Sequence, residues 1–394
     1  MKSLLNNLHS FTGRRAARLI VVFVLSLMLM ALVTFTLRIV SADTLGKFGI
    51  TKQSRAGKLL KQIAPKAFNS TVAPAAPFAV YTVNSLDDTN TGSGTSGTLR
   101  YCITQTNALG GADTINFSVN GMITLTSNLP NITDSLTING NGMANTIISG
   151  NNLYRSLNSI QTDGLTVTIQ NLKATNGFVA GSGFGGALDF DSTGGTLTVN
   201  NVELTNGSAG YGGGLNADDG TLNISNCVFT MNTSNTSGGA LWLGGTVTTT
   251  FVNCLISGNQ GPAGALHSNG GTVTIHNSTI AGNNSTSTGA VRNNGSSSIL
   301  NLRNSILANN TGGDGDCSNG LGTVNAQHTL IETGTCGITN GVNGNLTSDP
   351  ALNPDYTLTS TSNAVGTGNN ALIPVGVTTD LAGNARIQQG AVDI

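Results

Sequence analysis

Apolar and polar positions alternate with period 2 in a short phrase that returns through the middle of the chain. It reads TLTVNNV, TLNISNC, TVTTTFVNC, TVTIHNS and ILNLRNS, with first apolar residues Leu197, Leu222, Val247, Val273 and Leu300. A second phrase, GGAL, GGGL, GGAL, AGAL and TGAV, ends at Leu188, Leu215, Leu241, Leu266 and Val291. Both series step by 25 to 27 residues. The alternation marks strands rather than helix pairs. A fixed period of this length marks a solenoid. Thr, Val, Ile and Leu fill the strands, and Gly, Asn and Ser fill the corners. About 25 residues is too short for a four-stranded propeller blade and fits one turn of a coil of three short strands. The predicted class is all-β, a right-handed parallel β-helix. Five turns stacked at roughly 4.8 Å would span roughly 24 Å. The regular turns are expected over residues 165–320, with an N-terminal cap and first turns over 78–164 and irregular turns and a cap over 321–394. Before Leu165 the period fades through LTINGNGMANTIISGNN, so the strand register there stays open.

Composition agrees with this picture. The chain has 53 Gly, only 9% charged residues and only 5% aromatics, which suits stacked ladders of small and branched side chains. Such a composition also occurs in disordered tracts, but those lack strict apolar alternation. Charge divides unevenly: residues 1–66 hold 11 of the 17 Lys and Arg and one acid, Asp43, leaving a net charge of −11 on residues 67–394. An acidic rod argues against nucleic acid as the partner.

The N-terminus reads as a targeting segment. Lys2, Arg14, Arg15 and Arg18 precede an apolar run over residues 19–37, and Val40-Ser41-Ala42 follows. Two readings stay open for residues 1–42: a signal peptide cleaved after Ala42, or an uncleaved anchor. The second is the only way the chain would meet a membrane, and the basic residues from Lys47 to Lys66, which resist translocation, speak for it. Residues 43–77, ending in Ala73-Pro74-Ala75-Ala76-Pro77, read as a basic tether. Export makes a disulfide between Cys317 and Cys336 plausible in a Gly-rich, core-poor region. Cys227 and Cys254 each follow an Asn in consecutive turns and are either a second bridge or a buried ladder; Cys102 is left over. Without a C-x-x-C or a His cluster, no structural metal site is expected.

Register singles out one face for chemistry. If the last residues of the second phrase point inward, their successors Asp189, Asn216, Trp242, His267 and Arg292 point outward. Two positions on lie Asp191, Asp218, Gly244, Asn269 and Asn294, with Asp219 beside them. The eight ligand-binding candidates are Asp189, Asp191, Asn216, Asp218, Asp219, Trp242, His267 and Arg292. A Trp gives a sugar ring a flat apolar platform. Paired carboxylates suit glycoside hydrolysis, or Ca²⁺ through oxygen ligands. Asp189, Asp218, His267 and Arg292 are therefore the catalytic candidates, should there be catalysis. Against catalysis, exposed β-helix faces are polar anyway, and the turns between strands are short; the longest loop, residues 177–185, lies beside Asp189. A further column, Asn206, Asn232, Asn259, Asn283 and Asn310, is expected to form a corner ladder without a ligand role.

Three stretches carry resemblances. GGAL alternating with Phe229-Thr230-Met231-Asn232, Ile256-Ser257-Gly258-Asn259 and Ile280-Ala281-Gly282-Asn283 resembles the GGA[I/L] and FxxN repeats of polymorphic outer-membrane proteins, surface β-helices with adhesin roles. GTLRYCITQTNALGGADTINF resembles the N-terminal segment of bacterial surface β-helix proteins with a SLREA-type box, which here reads Thr98-Leu99-Arg100-Tyr101-Cys102. That likeness implies an amphipathic cap helix over residues 97–107. Asn304-Ser305-Ile306-Leu307-Ala308-Asn309, Asp349-Pro350-Ala351-Leu352 and Gly390-Ala391-Val392-Asp393-Ile394 are similar to the choice-of-anchor β-helix family. Together they imply a secreted or cell-surface protein of the bacterial cell envelope. The expected function is an adhesive or structural module that binds a polysaccharide, a cell-surface glycan or a surface protein without a cofactor. A polysaccharide lyase or glycoside hydrolase on the acidic face is the alternative.

Overall fold

Alternation continues through Thr196–Thr205, yet the buried apolar residues are Leu197, Val199, Val202 and Leu204, so the phase slips by one at Asn201. Asn201 has φ +54°, a left-handed conformation that Asn tolerates better than other side-chain-bearing residues. That single residue bends the strand while keeping apolar side chains inward on both arms. The bend repeats at Asn171, Asn226, Asn253, Asn277 and Asn304, all with positive φ. Amide side chains link the column: Asn201 Nδ2 donates to Asn171 Oδ1 at 2.8 Å, and Asn253 Nδ2 to Asn226 Oδ1 at 3.2 Å.

The computed structural model describes residues 78–394, apart from Thr335. The expected signal or anchor over 1–42 and the tether over 43–77 lie outside the described residues. The described chain is a parallel β-solenoid of about eight turns with a single α-helix. Its longest ladder runs in register from Asp113–Phe117 through Leu136–Asn139, Thr166–Thr175 and Thr196–Thr205 to Thr221–Ser225. It then continues through Thr248–Val252, Thr272–His276 and Ile299–Ala308 to Thr323–Ile331. The stack therefore reaches beyond both ends of the region where the sequence period is plain. A separate seven-stranded parallel sheet of three-residue strands forms another face, from Asn158–Ile160 through Leu188–Phe190 to Cys317–Asn319. In the middle turns two-residue strands add a small fourth side: Ser208–Ala209, Thr233–Ser234, Gln260–Gly261 and Asn284–Ser285.

Like residues stack along the core. Leu188, Leu215, Leu241, Leu266 and Val291 are fully buried, and Phe229 meets Phe251 edge-on at 6.5 Å. Each such side chain contributes about 1.5–3 kcal/mol of burial. The helix, Leu99–Leu109, buries Leu99, Cys102, Ile103 and Thr106 against the first turn. Thr98 caps it by accepting from Tyr101 N.

The expected corner ladder exists with one correction. Asn232, Asn259, Asn283 and Asn310 are buried, and the Oδ1 of each of the last three accepts from the preceding rung's N and Nδ2 at 2.8–3.0 Å. Asp316 ends the ladder: Oδ1 accepts from Asn310, and Oδ2 from Thr333 N and Oγ1, both at 2.7 Å. Asn206 is not a rung. It is one residue early, at a bend with φ +54°, and the rung position is Gly207, whose N donates to Asn232 Oδ1 at 2.9 Å.

After Ile331 the chain joins Cys317 to Cys336 by a disulfide with a Cα separation of 5.3 Å. Cys102, Cys227 and Cys254 are free and buried. The final segment then runs back along the side of the rod. His328 Nδ1 meets Thr367 O, Asn304 Nδ2 meets Asn369 O, His276 Nδ1 meets Leu372 O, and Asn253 Nδ2 meets Thr379 O.

Candidate functional site

The seven-stranded sheet holds the sequence-predicted face. Its in-register pairs are Asp189 with Asn216, Asn216 with Trp242, Trp242 with His267 and His267 with Arg292. The flanking column also forms, since Asp218 N donates to Phe190 O, Gly244 N to Ala217 O and Asn269 N to Leu243 O. Strand alternation thus brings together the predicted residues, but they are not equally open.

Asp189 is only 4% exposed. Its Oδ2 accepts from Ser159 Oγ at 3.3 Å and Gln161 Nε2 at 3.1 Å and pairs with Arg155 Nη2 at 3.5 Å; its Oδ1 accepts from Asn216 Nδ2 at 2.9 Å. Burial raises the pKa of the carboxyl, and the bonds from Asn216 and the charge of Arg155 work against that rise. The same Asn216 Nδ2 donates to Asp218 Oδ2 at 3.2 Å, so one amide holds two carboxylates of successive turns. Asn216 is 1% exposed and its Oδ1 is a buried acceptor with no hydrogen-bond partner. Asp219 Oδ1 accepts from Thr246 N and Oγ1 at 3.1 and 2.5 Å. Asp191 is exposed; burial first, then the charges of Asp218, Asp219, Asp189 and Asp163, raise its pKa.

His267 is 7% exposed, with Nδ1 at 2.5 Å from Ser237 Oγ and Nε2 unpartnered. Burial, aided by Arg292, lowers its pKa to about 4. It is neutral at pH 7 and a weak base there, which disfavours it as a general base. Turns stack at roughly 4.8 Å, so Asp218 and His267, two turns apart, are separated by roughly 10 Å along the axis. Arg292 is half-buried one turn beyond His267. The four catalytic candidates share one face without forming a contiguous acid–base set. Among the described residues no three His, Cys, Asp or Glu side chains are grouped to hold a metal ion.

Two residues absent from the sequence-based selection change the face. Phe184 and Tyr211 each stand four positions before the inward Leu of their turn and pair across turns, with rings stacked at 5.0 Å and 22°. Tyr211 meets Trp242 at 5.1 Å, and Trp242 meets His267 edge-on at 4.7 Å. A line of rings therefore follows the rod axis, with Phe184 40% exposed and Tyr211 and Trp242 half-buried. Arg155 fastens its near end, donating to Phe184 O at 2.7 Å and Gly185 O at 3.0 Å as well as pairing with Asp189. At the other edge Trp242 Nε1 reaches Asp218 Oδ1 at 3.4 Å. Gly244 is needed there: a Cβ would run into the Asp218 carboxylate and crowd the indole nitrogen. The aromatics were legible as FGGAL and YGGGL, the same place in successive repeats.

Compared with known proteins, the chain matches no family model and no curated protein.

Proposed function

We propose that this solenoid is an exported, cell-surface-associated module that binds a glycan on the aromatic line of its three-residue-strand face without cleaving it. The observation that carries the reading is the run Phe184, Tyr211, Trp242 across three successive turns, partly open and bordered by carboxylates and amides. Rings with an apolar face and polar surroundings suit sugars, which present apolar faces and hydroxyl edges. The likeness to polymorphic outer-membrane and choice-of-anchor proteins, and the basic-then-apolar N-terminus, support a place on the bacterial surface. The test is retention of the full-length protein on a panel of polysaccharides, scored together with product release. Tyr211→Ala or Trp242→Ala should each weaken retention about tenfold, the equivalent of about 1.4 kcal/mol. Undiminished retention in both variants would overturn the assignment of this face.

Glycoside hydrolysis or lyase chemistry is the second reading, and one observation favours it. Asn216 bridges Asp189, whose pKa is raised by burial, to Asp218, and acid–base cleavage of a glycoside uses a pair of carboxyl groups. Against it, Asp189 is covered and tied to Arg155. Release of reducing or unsaturated ends, lost in Asp218→Asn, would put the enzyme first.

A further inference from the structure

Resting on the glycan-binding reading, we propose that the ligand is a polymer of amino sugars carrying free, protonated amines. The aromatic platform borders the carboxylates, because Trp242 touches both Tyr211 and Asp218. A sugar ring stacked on Trp242 would therefore carry its substituents over Asp218 and Asp219. Among the described residues the ion pairs are Arg100 with Asp88, Arg155 with Asp189 and Lys173 with Glu203, so Asp191, Asp218 and Asp219 have no cation of their own. These charges crowd one another, and the pKa of Asp191 is raised partly by its acidic neighbours. A bound ammonium would relieve that repulsion, whereas a uronate would add to it. Asn216, almost wholly buried between the carboxylates of Asp189 and Asp218, adds an unpartnered acceptor on the same flank and no unpartnered donor. The aromatic rings contribute too, since an ammonium near a ring face gains cation–π attraction. A lysine-rich protein would satisfy the acids but leave the apolar rings of the line uncovered.

The experiment is calorimetric titration of the full-length protein with a glucosamine oligomer, its fully N-acetylated counterpart, a galacturonate oligomer and a lysine peptide of matched charge. The glucosamine oligomer should bind at least about tenfold more tightly than the acetylated one, with the preference shrinking as salt is raised. Asp218→Asn combined with Asp219→Asn should collapse that preference, and Tyr211→Ala should weaken the glucosamine oligomer. Asp191→Asn is a second probe: Asp191 is exposed and its carboxylate makes no hydrogen bond among the described residues, so the substitution leaves Trp242 undisturbed and should reduce the preference in part. Equal binding of the two sugar oligomers would overturn the amine inference and leave the glycan-binding reading standing. Tighter galacturonate would do the same. A lysine peptide bound as tightly, insensitive to Tyr211→Ala, would make the patch a general cation surface and overturn the inference. Absence of binding to every sugar would overturn both readings.

Discussion

Asn259→Ala removes one rung from the buried ladder, and its cost can be worked from the bonds. Asn259 Oδ1 accepts from Asn232 N at 2.9 Å and Asn232 Nδ2 at 3.0 Å, while its Nδ2 donates to Phe229 O, Ser257 O and Asn283 Oδ1 at 2.8–3.0 Å. Alanine leaves the Asn232 N–H, fully buried, without this acceptor. An orphaned buried donor costs about 1–3 kcal/mol. Asn232 Nδ2 keeps its bond to Leu204 O, so its loss is smaller. The bonds to Phe229 O and Ser257 O contribute about 1 kcal/mol each. The expected destabilisation is about 3–5 kcal/mol, a fall in Tm on the order of 10 °C. The matched control is Asn206→Gly at the neighbouring bend, where glycine relieves about 1 kcal/mol of left-handed strain and loses a comparable amount through the freer unfolded chain. Its net effect should be close to zero. Thermal and urea unfolding followed by far-UV circular dichroism measure both. A loss below about 1 kcal/mol for Asn259→Ala, or equal losses for the two variants, would refute the ladder argument.

Gly244→Ala should push the Asp218 carboxylate away from Trp242 Nε1; a shift in tryptophan emission checks this, and an unchanged spectrum would count against the contact. His267 should make stability depend on pH. Its folded pKa, about 4, lies below the unfolded value of roughly 6.5, so the unfolded chain binds the extra proton between them. Stability is therefore complete above about pH 6.5 and falls by about 3 kcal/mol as pH drops to 4. Unfolding curves of His267→Gln should be flatter over that window, and parallel curves would contradict the assignment. Replacing Cys317 and Cys336 by Ser should cost about 3 kcal/mol for a loop of this length, read as earlier proteolytic cutting near the C-terminal end under non-reducing conditions. Equal resistance would show that the bridge contributes little.

The solenoid was legible because every turn repeats the same inward positions, and the register of the outward column followed from alternation alone. Burial of that column was not legible. Asp189 is covered partly through Arg155, which comes from the stretch where the period fades, so no repeat pointed to the pair. Turns were expected over residues 78–164, but their register stayed open for the same reason: Leu136–Asn139 pairs in register with Val167–Gln170 although its flanking corners do not follow the later pattern. The misplaced rung at Asn206 has another cause. Asn occurs both at the left-handed bend and one residue later inside the corner, and in that turn the rung is filled by Gly207, whose backbone serves instead of a side chain.

The placement of the aromatics follows from the same repeat logic. The position four residues before the inward Leu or Val carries Phe184, Tyr211, Ser237, Pro262 and Ser287 in successive turns. The line is extended by Trp242 and His267 from the adjacent column, and Ser237 turns inward to hold His267. The platform therefore has a defined beginning, fixed by Arg155, and a defined end, fixed by a buried neutral imidazole. A rod built only as a spacer needs neither. In the glycan-binding reading, each turn adds one ring, so the length of ligand that the line would hold is set by how many turns keep an aromatic there, and its charge preference by the carboxylates one column away.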